Sequence, residues 1–122
     1  MESKILRFIH YSHEVDLTFE KLDFQRVGSW GGGRGLYVSP PEIRGEWTTR
    51  DFRYEVFVDR ANTDSKREDF ISLVRKEWKY NEPYPGDAID RVCLKYNIQI
   101  VTMNEFTTII KDSNCVLYFK RI

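Results

Sequence analysis

"GSWGGGRGLYVSPPE", Gly28–Glu42, is the stretch on which the fold class turns. Glycine in such density costs conformational entropy, so it marks a place where the backbone must turn tightly or approach something closely. The residues after the glycines matter more than the glycines themselves. Gly35–Ser39 reads as a short aromatic strand, stopped by Pro40-Pro41. A P-loop or a dinucleotide fingerprint would lead into a helix, and a P-loop would also need Gly-Lys-Ser/Thr, which "GSWGGGRG" lacks. Both are set aside, leaving a glycine loop that enters a strand.

Outward from that strand the chain reads as strands around a helical centre. "KILRFIHYS" places Ile5, Leu6, Phe8 and Ile9 in a buried-strand pattern, and residues 13–27 read as short irregular or helical structure. "FRYEVFVDR" alternates Tyr54, Val56 and Val58 against Arg53, Glu55 and Phe57, which predicts a strand with two distinct faces. "DSKREDFISLVRKEWKY" opens on the N-cap types Asp64 and Ser65 and places Phe70, Ile71, Val74 and Trp78 on one helical face. "NEPYPG" breaks that helix. A second helix comes after it, capped by Asp87, with Ala88, Ile89, Val92, Cys93 and Tyr96 facing inward and Asn97 as a left-handed C-cap. "IQIVTM" is a short strand, and "NEFTTIIKDSNCVLYFKRI" ends the chain as strand, turn and strand. Strands, two central helices, then strands predict an α+β fold with a largely antiparallel sheet.

Bulk properties narrow the function classes. At 122 residues the chain suits a single domain, 1–122, and its aromatic fraction of 15% argues against disorder. A formal net charge of zero gives no electrostatic case for bulk nucleic-acid or membrane binding, so any nucleic-acid contact must be local. Cys93 and Cys115 form no CxxC pair and no zinc spacing; they read as buried thiols in a reducing cytoplasm, and no metal is expected. "MESKILRFIHYS" has no signal-peptide core, and no apolar run is long enough to span a bilayer.

Three strands carry polar residues among apolar neighbours: His10 and Ser12 in "FIHYS", Tyr37 in "RGLYVS", and Glu105 in "MNEF". Taken singly, His10 reads as a core histidine, Tyr37 as packing and Glu105 as a solvated strand start. Taken in order, they resemble the ADP-ribosyltransferases of the H-Y-E group, the diphtheria-toxin-like and poly(ADP-ribose) polymerase-like enzymes. "FIHYS" is similar to the family's His-Gly-Ser/Thr strand, "GRGLYVS" to its Gly-Lys-Gly-Ile-Tyr-Phe stretch, and the final nineteen or so residues to its Asn-Glu-Tyr strand, turn and last strand. The resemblance covers both ends of the chain and leaves residues 60–97 unmatched. It implies a small ADP-ribosyltransferase-like fold with a split, mostly antiparallel sheet and two central helices.

The resemblance also implies a chemistry. Such enzymes take ADP-ribose from NAD+, their co-substrate, to an acceptor and release nicotinamide through an oxocarbenium-like ribose, which a nearby carboxylate stabilises electrostatically. Glu105 takes that part and binds the nicotinamide-ribose 2′-hydroxyl. His10 orients the adenosine-side ribose, Ser12 assists as a polar anchor, and Tyr37 stacks on nicotinamide. Tyr11 stands where the family has Gly; its backbone N–H and C=O can still grip the carboxamide if its side chain turns away. Trp47 is the nearest substitute for the family's second aromatic, and Arg34 is placed to meet a phosphate. Gly31–Gly33 are expected to form a mobile loop beside the cleft, with Tyr37 mattering more to NAD+ use than any one of them.

The function so implied is mono-ADP-ribosyl transfer to a macromolecular acceptor, protein or nucleic acid, in the cytoplasm of the cell or of a target cell, in the manner of a bacterial or phage toxin or anti-defence effector. Two competing readings stand beside it. One is an inactive ADP-ribosyltransferase-fold binder or inhibitor, favoured by Tyr11 and the missing second Tyr. The other is a small RNase-like enzyme using His10, His13 and Glu14, with Arg7 and Arg34 near them.

Overall fold

The computed structural model describes residues 5–25, 32–43, 52–59 and 67–122. Within them the chain runs β1 (Ile5–Ser12), β2 (Leu36–Val38), β3 (Phe52–Asp59), α1 (Arg67–Glu77), α2 (Gly86–Tyr96), β4 (Ile100–Thr102), β5 (Thr108–Ile110) and β6 (Val116–Arg121), with 3-10 turns at Phe19–Lys21 and Ser113–Cys115. The fold is α+β. Its strands form two three-stranded antiparallel sheets, ordered β1-β3-β6 and β2-β5-β4. One isolated bridge, Ile9 to Ser39, joins β1 to β2, made by Ile9 N–H to Ser39 O at 2.8 Å and Ser39 N–H to Ile9 O at 2.9 Å.

Alternation along the strands decides what is buried. Phe8, Val56 and Val58 of one sheet meet Leu36, Val38, Ile100 and Ile110 of the other to form the inter-sheet core. The opposite face of β4 presents Val101 to a second core made by Phe70, Val74, Ala88, Ile89, Val92 and Cys93 from the two helices. Tyr54, Val56 and Val58 are fully buried, as the alternation of β3 predicts. Each such aliphatic side chain contributes about 1.5–3 kcal/mol by leaving water.

Several local expectations are corrected. Helix α1 stops at Glu77, so Trp78 lies beyond it and is exposed. Ile71 is also exposed, because the buried stripe runs through Phe70 and Val74 and the neighbour of Phe70 is turned about 100° from it. Tyr96 faces solvent at the end of α2. The residue before α2 is Pro85, and Asp87 lies inside the first turn, where its charge suits the helix dipole but caps nothing. The expected α1 cap, Asp64 or Ser65, falls outside the described residues. Asn97 does adopt the left-handed conformation (φ 53°, ψ 48°), and its N–H donates to Cys93 O. Cys93 and Cys115 are buried, and burial, with Asp112 and Asp59 behind it, pushes the Cys115 thiol up, away from the reactive thiolate.

Candidate functional site

Strand β2 lies between β1, which carries His10, and β5, whose entry loop carries Glu105. The three polar positions singled out in the sequence are therefore on neighbouring elements, His10 and Tyr37 on the bridged strands β1 and β2 and Glu105 in the turn that leads into β5. They come together differently from the expectation in two respects: Glu105 lies in a hairpin turn and not on a strand, and the two strand residues face opposite ways. His10 follows Phe8 on the inter-sheet face, whereas Tyr37 shares the opposite face with its partner Ile109. The histidine reaches Tyr37 through the backbone, with Nδ1 2.8 Å from the Tyr37 carbonyl oxygen. A carbonyl only accepts, so this contact makes Nδ1 the protonated nitrogen.

The His10 ring lies at the mouth of the inter-sheet core, 6.4 Å from the Tyr54 ring and 6.1 Å from Phe119. Tyr54 and Phe119 stack on each other at 5.1 Å. Tyr54, which the sequence places on one face of a strand, also fixes the loop after His10. Its hydroxyl donates to Glu14 O and accepts from the Leu17 amide at 3.2 Å. Arg121 of β6 closes the same loop by donating to Val15 O at 3.0 Å. His13 and Glu14 are exposed on this turn.

Tyr11 has its side chain buried on the face of β1 opposite His10. Because Ile9 directs its N–H and C=O to Ser39, alternation aims the same groups of Tyr11 toward the β2 side, beyond the bridge where the two sheets part. Ser12 behaves as a strand-end hydroxyl, accepting from the Glu14 amide at 3.0 Å. Trp47 lies outside the described residues.

Of Gly31–Gly33, Gly31 lies outside the described residues, and Gly32 and Gly33 are hydrogen-bonded. Gly33 accepts from the Tyr37 hydroxyl at 2.8 Å, and Gly32 accepts from Lys111 Nζ at 2.8 Å. Asp90 of α2 completes the clamp: it pairs with Lys111 Nζ at 2.7 Å and accepts from the Arg34 amide at 3.1 and 3.2 Å. The Arg34 guanidinium also turns to Asp90, 3.9 Å away, and remains half exposed. Gly35 has φ 143°, and a Cβ there would stand 2.7 Å from the Ile110 carbonyl oxygen, so only glycine lets this turn lie against β5. Asp90 and Lys111 were not visible as a pair in the sequence. A charged residue on an otherwise apolar helix face was the only signal.

Glu105 occupies the tip of the β4–β5 hairpin and is exposed. Asn104 builds that tip, its Oδ1 accepting from the Phe106 amide at 2.8 Å and the Thr107 amide at 2.9 Å, while Met103 N–H donates to Thr107 O. The carboxylate is thus presented by a fixed turn beside the strand that pairs with Tyr37.

For NAD+ the fit is partial. The groups that could meet it are the Tyr11 backbone on the β2 side of β1, His10 against the Tyr37 carbonyl, and the exposed Glu105 carboxylate on the adjoining hairpin. The Tyr37 hydroxyl is engaged with the Gly33 carbonyl, which ties the ring's outer end to the glycine loop. Among the described residues, no group of three His, Cys, Asp or Glu could hold a metal ion, and no helix is long and apolar enough to cross a membrane. No protein-family model matches this chain, and neither a curated protein nor a solved structure does.

Proposed function

We propose that the protein is an NAD+-dependent mono-ADP-ribosyltransferase acting on a macromolecular acceptor. The observation that supports this reading is the occurrence of His10, Tyr37 and Glu105 on three adjoining elements, with the backbone of Tyr11 on the β2 side of β1. In the reaction the bond between nicotinamide and the ribose C1′ breaks, nicotinamide leaves with the bonding pair, and an acceptor nucleophile bonds to C1′ and gives up its proton. Glu105 stabilises the cationic ribose and orients its 2′-hydroxyl. His10, held by the Tyr37 carbonyl, orients the second ribose.

Calorimetric titration with NAD+ and a nicotinamide-release assay, with and without cell lysate, test this. Wild-type protein should bind and turn over NAD+. Glu105→Gln, at an exposed hairpin tip, should keep the fold and lose at least about a hundredfold in turnover. Neither binding nor turnover by wild type would overturn the proposal. The hydroxyl bond of Tyr37 to Gly33, together with Tyr11 in the family's Gly position, favours a second reading: a binder of the same fold that has no transferase chemistry. Full biological activity of Glu105→Ala would select it.

A further inference from the structure

The loop between α1 and α2 carries a feature that the NAD+ reading does not use. Its residues Trp78–Pro85 include three exposed aromatic residues: Trp78 at 41%, Tyr84 at 70% and Tyr80 at 103% of the free residue's accessible area. Trp78 and Tyr80 line a pocket of about 320 Å³ with Arg75, Lys79 and Glu82. Exposed apolar surface gathered in one place marks a contact site, and here Trp78 and Tyr80 stand beside Arg75 and Lys79.

The loop is built rather than loose. Glu82 is its keystone: it accepts from the Lys79 amide at 3.0 Å and holds Arg91 of α2 through contacts of 2.6 and 3.2 Å. Arg91 also donates to Glu77 O at 2.8 Å, and the Trp78 indole N–H donates to Glu82 O at 2.9 Å. Two of the acids of this region are held internally, since Glu77 pairs with Arg91 and Lys95, and Glu82 with Arg91. Arg75, Lys76 and Lys79 have no ion-pair partner among the described residues. A chain of zero net charge has thus set the cations Arg75 and Lys79 beside the exposed rings of Trp78 and Tyr80, with Glu82 as the acid among them.

We propose that this surface binds single-stranded nucleic acid, its bases stacking on Trp78, Tyr80 and Tyr84 while phosphates meet Arg75, Lys76 and Lys79. A single strand offers an anionic group and a π-face at every nucleotide, which is the pairing of chemistries that this surface presents. A duplex hides its base faces and cannot satisfy the rings. This inference does not depend on NAD+ binding.

Fluorescence anisotropy of labelled oligothymidylate and oligouridylate of about ten nucleotides, titrated with the full chain, tests it. Binding is expected to weaken steeply with added salt. Tyr80→Ala and Tyr84→Ala should each weaken it about fivefold or more, and Lys79→Glu should both weaken it and flatten the salt dependence. Lys120→Ala, on the exposed end of β6, should leave it unchanged. The tyrosine side chains are exposed, so these variants should melt like wild type. Absence of binding to both oligonucleotides, equal affinity for duplex, unaltered affinity in the tyrosine variants, or binding of polyglutamate in place of oligonucleotide would each overturn the proposal.

Discussion

Replacing Asp90 by Ala should be among the most damaging single changes in the molecule. Its carboxylate receives Lys111 Nζ at 2.7 Å and the Arg34 amide at 3.1 Å, and the side chains of Lys111 and Asp90 are only 8% and 16% exposed. Without Asp90, the ammonium of Lys111 keeps the Gly32 carbonyl as its partner among the described residues but has no counter-charge. Stranding one member of such a pair costs about 3–5 kcal/mol, against a total stability of about 5–15 kcal/mol for a domain. Lys111→Met should cost less, because Met fills the space and Asp90 still has the Arg34 amide, with the guanidinium 3.9 Å away. The double variant strands no charge, so its loss should fall short of the sum of the singles by about 1–3 kcal/mol. Urea denaturation followed by circular dichroism measures all three. Additive losses, a loss below about 1 kcal/mol for Asp90→Ala, or Lys111→Met as the worse variant would refute the clamp.

Three further outcomes are expected. Gly35→Ala sets a Cβ against the Ile110 carbonyl at φ 143°, which should cost about 1–3 kcal/mol in strain alone and lower Tm by about 5 °C or more; an unchanged melt would show that β5 moves aside. The side-chain hydrogen bond from Arg91, with the Lys79 amide, lowers the Glu82 carboxyl from 4.5 to about 2. Between those values the unfolded chain binds the proton and the native one does not, so the contribution is whole above 4.5 and is lost as pH falls toward 2; Glu82→Gln should flatten that part of the stability profile, and an unaltered slope would count against the pairing. Asn97→Gly should be neutral within a few tenths of a kcal/mol, whereas Asn97→Ala should cost about 1 kcal/mol in a chemical melt, the difference being the left-handed φ of 53°.

Much of the fold was legible because it rests on periodicity. The alternation of Tyr54, Val56 and Val58 placed β3, and Asn97 marked the end of α2, both for reasons local to the chain. The misplaced positions share a cause. Ile71 and Tyr96 are apolar or aromatic residues at the edge of a helical stripe, and whether an edge is covered depends on what packs there. Trp78 was assigned to a face of α1, yet the helix ends before it and its indole serves the next loop.

The sequence by itself determined which segments become strand and helix and the order in which His10, Tyr37 and Glu105 occur, since propensity, alternation and turn chemistry act over a few residues. The tertiary structure decided which faces those residues occupy: His10 on the inter-sheet side, Tyr37 on the other, with a backbone carbonyl as the link between them. It also decided that the glycine loop is held by Asp90 and Lys111, partners 21 residues apart from one another and more than 50 from the loop. Charges so far apart in sequence acquire a common address only when helix and sheet pack, because a pair interaction depends on distance and burial, and neither is written in local pattern.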